Sequence, residues 1–455
     1  VFHRTRWGTL IRAATQDREM VAALGVNQTW LFTTVFTLGA FLAGLGGAIQ
    51  LPREAVSHVM DLQIITEAFV VVVIGGLGNV LGAFLAAIII GELNAFGLVV
   101  FPQITLVLTF LVMAVILVIR PWGLLGKPDV AVRGVSLEMP IRPLGPTGRK
   151  AAAGFLCVLL VLPLVMGGYG LSVASEVLIF ALFAASLHFI MGTGGMVSFG
   201  HAAYFGLGAY GAALAVKLLG LPMLGALVAG PLLAGLAGLL FGWFCVNLSG
   251  VYLAMLTLAF AQIAYAIVFQ WSEVTGGDNG LVGIWPAAWA SSASAFYYLC
   301  LALCGGAMLA IRRVTFAPFG YTLRAGRDSA LRADAIGIDM TRHRWLGFAM
   351  SGVFAGVGGS LYAFLKGSVF PDTISIATSI DGLVMVLLGG VQTLLGPLVG
   401  AATYTTLHVV VSSVTDQWRT VLGVTIIVLV VAFPQGIVGF LQEKFGQTEK
   451  TEKTL

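Results

Sequence analysis

Charge is what this sequence lacks. Lys, Arg, Asp and Glu make up 10% of its 455 residues while hydrophobic residues make up 58%; soluble domains carry about 25% charged residues. Too little polar side chain is present to cover a water-facing surface, which excludes an ordinary soluble enzyme. The net charge is only +4, and the cations gather at the edges of apolar runs, so no nucleic-acid surface is expected. Cysteine is scarce too. Cys157, Cys245, Cys300 and Cys304 all lie in apolar runs. Cys300 and Cys304 could share a helix face, but no His or carboxylate stands near them in sequence to complete a metal site, so four buried structural thiols and no metal are expected. No Gly-x-x-x-x-Gly-Lys-Ser/Thr loop occurs, which excludes binding of ATP by a Walker A cradle. No nucleophile–base arrangement or spaced carboxylate pair is present. No catalytic residue and no cofactor bound by this chain is expected.

What the sequence has is glycine, 59 residues of it, and long apolar runs. Many runs approach the roughly 20 residues that a helix needs to cross the hydrocarbon core, and abundant glycine lets such helices pack closely. The expected fold is an all-α polytopic membrane protein. About 14 transmembrane segments are expected, near residues 28–50, 63–77, 79–100, 104–119, 152–168, 172–191, 201–219, 222–246, 250–271, 296–311, 345–365, 376–389, 394–414 and 419–433. Two of these, 63–77 and 376–389, are short. The Pro-containing stretch 127–151 has no sustained periodicity and reads as a linker, and 443–455 as a polar tail. Placing residues 1–27, 120–153, 312–344 and 434–455 in the cytoplasm puts 20 of the 24 Lys and Arg on that side, as the positive-inside rule requires. Arg53, Lys217, Lys366 and Arg419 fall opposite.

The chain also repeats itself. A polar, Ala-rich island from Gly8 through Arg12 and Ala13 to Gly25 and Asn27 recurs from Gly320 through Arg324 and Ala325 to Gly337 and Asp339. At the same offset of 312, Phe36, Ala43, Gly44, Gly46 and Gly47 match Phe348, Ala355, Gly356, Gly358 and Gly359. At 314, Glu67, Gly75, Gly76 and Gly82 match Asp381, Gly389, Gly390 and Gly396; at 313, Pro121 and Gly123 match Pro434 and Gly436. Two related membrane units are therefore expected, 1–126 and 152–442. The second has six runs ahead of its island and the first has none, so the first is expected to lack its N-terminal part. Duplicated helical islands with small residues on one face and Arg on another suit docking into a partner's groove.

The islands, Arg12 to Asp17-Arg18-Glu19 and on to Gly25, and Arg324 to Arg327-Asp328 and on to Gly337, resemble the cytoplasmic loops of branched-chain amino-acid ABC transporter permeases. Two further stretches resemble the same family: Gly192 to Tyr210, rich in glycine, and Ser249 to Gln262 followed by Thr275-Gly276-Gly277-Asp278. The resemblance covers about residues 4–126 and 152–442 and implies two permease subunits fused in one chain. It implies that Arg12, Asp17, Arg18, Glu19, Gly25, Arg324, Arg327, Asp328 and Gly337 couple to two separate ABC ATPase subunits, which would use ATP and Mg²⁺. It further implies a periplasmic amino-acid-binding protein and residence in a bacterial inner membrane. The loop at Thr275, Gly276, Gly277 and Asp278, closed by Trp285 and Trp289, is where that binding protein would dock.

Other positions are read from the residues themselves. The glycines between Gly192 and Tyr210 permit a broken helix, which survives at membrane depth only where protein or a water-filled cavity satisfies its backbone. Gly195, Ser198, Gly200, His201, Tyr204, Thr257 and Gln262 are thus candidates to line a path, with simple tight packing as the competing reading. Ionisable residues in spans mark function by default, and Glu67 and Asp381 join the path candidates. Glu92, Glu176, His188, His201 and His408 are the others; a lone His in an apolar helix is more often a satisfied packing residue. His188 stands where the family usually has Asn, and Arg53-Glu54 with His58 to Asp61 is more polar than expected. Both leave a urea, nucleoside or sugar permease as an alternative. A proton-coupled carrier working through Glu67, Asp381 or Glu92 is a further one.

Overall fold

The computed structural model describes residues 5–52, 56–57, 60–100, 105–126 and 146–442. Residues 127–145 of the expected linker, the tail 443–455, and Arg53, Glu54 and His58 lie outside the described residues. The chain divides into two compact units, residues 1–66 and 67–455. This division falls elsewhere than the repeat in the sequence.

In the first unit, α1 (Arg6–Gln16) and α2 (Arg18–Ala23) precede the long α3 (Gln28–Gln50). The Thr5 hydroxyl accepts from Gly8 N at 3.2 Å and caps α1, and the Asp17 carboxylate accepts from Met20 N at 3.0 Å and caps α2. Asn27 caps α3 through Trp30 N at 3.1 Å. Each of these side chains satisfies a helix-start amide that has no partner in its own helix. A small cluster of Ala14, Val21 and Leu31 holds the three helices together. The helix α4 (Met60–Gly75) crosses from this unit into the next.

The second unit continues through α5 (Val80–Val100), α6 (Thr105–Ile119), α7 (Pro146–Val165) and α8 (Gly168–His188). A π-helical turn, Phe189–Thr193, ends α8, and a non-helical segment leads to α9 (Ala202–Lys217). Then come α10 (Met223–Cys245), α11 (Gly250–Gln270), the single turn α12 (Ser272–Thr275), α13 (Ala293–Thr315), α14 (Pro318–Ala335) and α15 (Met340–Lys366). The chain closes with α16 (Ile376–Gly389), α17 (Gly396–Val414) and α18 (Trp418–Ala432). The two short strands, β1 (Leu281–Val282) and β2 (Ser368–Val369), pair antiparallel and tie together the loops before α13 and after α15. All 14 expected runs contain a helix. Among the described residues nine helices are long and apolar enough to cross a membrane, and residues 64–75, 107–119, 153–165 and 376–389 form shorter apolar helices. With α9 and α16 at 16 and 14 residues, about 24 and 21 Å, neither matches the roughly 30 Å of hydrocarbon. The chain is a multi-pass membrane protein.

The core of this unit is the trio α9, α10 and α15, packed through glycine. A Cβ at Gly208 would stand 2.4 Å from Gly356 Cα, and one at Gly359 would stand 1.9 Å from the Phe205 carbonyl oxygen. No larger residue fits between these backbones. The repeat is visible in backbone geometry. Gly76 and Gly390 have φ of +100° and +111°, and Gly123 and Gly436 have φ of +79° and +77°. Each pair is in contact: a Cβ on Gly123 would meet Gly76 Cα at 2.8 Å, and one on Gly436 would meet Gly390 Cα at 2.3 Å. The same turn is thus pinned by the same glycine contact in both copies. The thiols correct one expectation. Cys245, Cys300 and Cys304 are buried, but Cys157 is exposed, because the outer side of α7 has no protein neighbour among the described residues.

Candidate functional site

Three places concentrate the polar groups of the second unit. The first joins the second island to the glycine-rich segment. α14 begins with Pro318 at its first turn, leaves helical geometry at Ser329 (φ −164°, ψ 102°), and is followed by Gly337 at φ +87°. Asp339 then caps α15 through Arg342 N at 3.0 Å. The first island has the same layout, with Asp17 at φ −146° and ψ 103°, Gly25 at φ +79° and the Asn27 cap. The Arg324 guanidinium donates to the Thr315 carbonyl at 3.0 Å and lies over the Phe316 and Tyr321 rings. Partial burial pulls it below the ordinary guanidinium value, far short of neutralising it. Arg327, one of the residues expected to couple to an ATPase, turns inward. It donates to the Gly192 carbonyl at 2.7 Å, with its side chain 15% exposed. Gly195, at φ +66°, makes room for it, since a Cβ there would stand 2.5 Å from Arg327 Cγ. Asp328 and Gly337 are exposed. In the first unit Arg12, Asp17, Arg18, Glu19 and Gly25 are exposed too, and the Arg18 guanidinium lies 4.3 Å over the Phe32 ring.

The second place is the broken helix itself. His188 is buried and donates Nε2–H to the Val391 carbonyl at 2.7 Å, fastening α8 to the turn between α16 and α17. His201 Nε2 lies 2.8 Å from the Ser186 hydroxyl, which donates to the Phe183 carbonyl at 2.7 Å; His201 therefore donates through Nε2, leaving Nδ1 an acceptor. The Thr257 hydroxyl accepts from Phe199 N at 3.1 Å, and Ser379 accepts from Ala202 N at 3.0 Å. A Cβ at Gly200 would stand 2.0 Å from the Thr257 carbonyl oxygen. Protein groups thus satisfy the irregular backbone, and Gly200, Thr257, His201 and the buried Tyr204 are packed elements. His201 Nδ1 and the Ser198 and Thr193 hydroxyls remain buried without a partner among the described residues. Gln262 is half-buried.

The third place is a cavity of about 490 Å³ lined by residues of α8, α9, α15, α16 and α17. Lys366 Nζ and Glu176 form an ion pair at 2.9 Å in its wall, and the Tyr404 hydroxyl donates to Asp381. Glu67, expected to match Asp381, is exposed and does not line it. Sequence reasoning missed the Glu176–Lys366 pair because its members are 190 residues apart. The position of Lys366, alone at the end of an apolar run, was the available signal. In the Thr275 loop, Thr275 is buried and donates to the Val268 carbonyl at 2.6 Å, Gly277 is buried, Gly276 is half-buried, and Asp278, Trp285 and Trp289 are exposed.

This architecture of glycine-packed helices, a broken helix and a polar cavity between spans is that of a membrane permease. Residues 1–118 and 169–432 match the family described as branched-chain amino acid transport system / permease component, and the chain belongs to that family. The LivM permease of Salmonella typhimurium, a high-affinity branched-chain amino acid transport system permease protein, is 25% identical over 314 residues, 62% of this chain and 74% of LivM. BraD of Pseudomonas aeruginosa, named likewise, is 32% identical over 129 residues, 28% of this chain and 42% of BraD. The fructose import permease protein FrcC of Rhizobium meliloti is 30% identical over 132 residues, 27% of this chain and 36% of FrcC. No solved structure matches.

Proposed function

We propose that this permease moves a branched-chain amino acid inward, driven by ATP that two separate ATPase subunits bind and hydrolyse with Mg²⁺. Both islands, the linker and the tail face the cytoplasm of a bacterial cell, the islands seat in grooves of the ATPases, and a periplasmic binding protein delivers cargo to the opposite face. The observation that carries this reading is the shared island geometry. A break at Asp17 or Ser329, a left-handed glycine at Gly25 or Gly337 and a cap at Asn27 or Asp339 recur at one offset. A rigid, duplicated polar hook is what two copies of one partner would grip. Arg327 then offers a route for force, since movement of α14 pulls on the Gly192 carbonyl and with it the end of α8. A closing ATPase pair would need such a bistable element to swing the spans.

The test is reconstitution of the chain with its ATPase subunits and binding protein in sealed vesicles. Leucine accumulation should require ATP and persist when the proton gradient is collapsed. Uptake that survives ATP depletion and disappears with the gradient would contradict the reading. Calorimetry on the binding protein settles the cargo: Leu, Ile or Val should bind, whereas binding of fructose alone would move the assignment to a sugar.

A further inference from the structure

We propose that the cavity between α8, α9, α15, α16 and α17 is a binding site for the zwitterion of an α-amino acid with an apolar side chain. This rests on the transport reading for the identity of the cargo, but the site itself is argued from its walls. One wall is aromatic. Phe180, Phe205 and Tyr362 pack against one another with ring centroids 5.4–5.9 Å apart, and Met385 continues that surface. Another wall is charged, with Glu176, Asp372 and Asp381 set against the one ammonium of Lys366. Charged side chains inside spans are costly and are kept for ligands or ions, and Glu176 and Asp381 both lie within such helices. Glu176 is already paired with Lys366, so the acceptors left in the lining for a ligand's ammonium group are Asp381 and Asp372.

The second observation is Thr405. It lines the cavity at 4% exposure, and its hydroxyl oxygen has no partner among the described residues. A buried hydroxyl left open costs stability unless something fills its place. Asp381 lines the same cavity. Its Oδ1 accepts a hydrogen bond from the Tyr404 hydroxyl, and Tyr404 is itself held by His408, stacked at 11° between ring planes and edge-on to Trp418. That chain fixes the Asp381 carboxylate, which lines the cavity. Asp381 and Thr405 would receive the ligand ammonium. Lys366 uses one of its three hydrogens on Glu176, and the others would meet the ligand carboxylate. The apolar side chain would lie on the aromatic wall. The aromatic wall together with the Lys366 ammonium disfavours a bare cation, which has no use for the rings' edges or for Lys366.

The whole chain in lipid nanodiscs, without ATPase or binding protein, is titrated with L-leucine, with leucinamide, which lacks the carboxylate, and with 4-methylpentanoate, which lacks the ammonium. Leucine should bind, and 4-methylpentanoate should bind at least about tenfold more weakly, as loss of a charge-assisted contact implies. Asp381→Asn should weaken leucine by about tenfold or more. Thr405→Val, nearly the same shape and therefore safe for folding, should weaken it about threefold. Lys366→Met should weaken leucine while sparing leucinamide. Leucine affinity unchanged in both Asp381→Asn and Thr405→Val, or no leucine binding to the folded wild-type chain, overturns the site. The transport reading is measured separately: vesicle uptake intact in those two variants would sink the site and spare the transporter. Leucine binding in nanodiscs with no ATP-driven uptake would do the reverse.

Discussion

The helices α3 and α15 carry the same pattern of small residues and meet different fates. Gly356 and Gly359 of α15 sit against α9 and α10, closer than a Cβ would allow, and Phe348 is fully buried. Their counterparts at an offset of 312, Gly44 and Gly47, have nothing within 4 Å among the described residues, and Phe36 is 80% exposed. Leu31 is the one buried residue of α3, whereas α15 buries 13. The islands ahead of them differ in the same way. Arg327 reaches the glycine-rich segment, but the matching position is Thr15, whose hydroxyl bonds the Arg12 carbonyl in its own helix at 2.8 Å. Local sequence therefore sets turns, caps and left-handed glycines in both copies. Which surfaces become core is decided by the neighbours each copy meets.

Substitutions can break that contrast, and the largest effect is expected at the helix contacts. Gly359→Leu forces a side chain into the Phe205 backbone and should cost about 3 kcal/mol, read as a drop in the thermal midpoint of the detergent-solubilised chain. Gly47→Leu should change it by no more than about 0.5 kcal/mol. Equal destabilisation by the two would dissolve the comparison. Next comes the tether: Arg327→Ala loses a charge-assisted hydrogen bond worth about 1.5–3 kcal/mol, while Thr15→Ala should fall within about 0.5 kcal/mol, both read in the same melts.

The copies should agree where only backbone matters. Gly25→Ala and Gly337→Ala each place a Cβ at positive φ with open space around it, and each should cost about 1 kcal/mol. Asn27→Ala and Asp339→Ala should each cost about 1 kcal/mol or less from a lost cap. Unequal costs within either pair would mean that tertiary contacts reach the islands' backbones.

Much of the fold was legible because apolar run length is a direct physical requirement for crossing a bilayer, and each of the 14 runs contains a helix. The repeat was legible because glycine at a matched offset, as at Gly76 and Gly390, reports a backbone that no other residue adopts cheaply. The site was less so. Glycine between 192 and 210 marks close approach equally well whether the neighbour is protein or a path, and only the structure shows Gly200 against Thr257 and Gly208 against Gly356. The contact of Arg327 was not legible because a guanidinium's partner, here a carbonyl 135 residues away, leaves no trace in local pattern. Tyr404 and Thr405 lie in an apolar run with nothing local to show that Tyr404 bonds Asp381 or that both line a cavity.

The central claim is that the second island passes ATP-driven movement to the spans through Arg327. It is tested most directly by the ratio of leucine transported to ATP hydrolysed in reconstituted vesicles carrying Arg327→Ala, with insertion and ATPase binding checked on the same sample. The account predicts that hydrolysis continues while transport falls at least about tenfold, with Thr15→Ala at the wild-type ratio. A wild-type ratio for Arg327→Ala would contradict it.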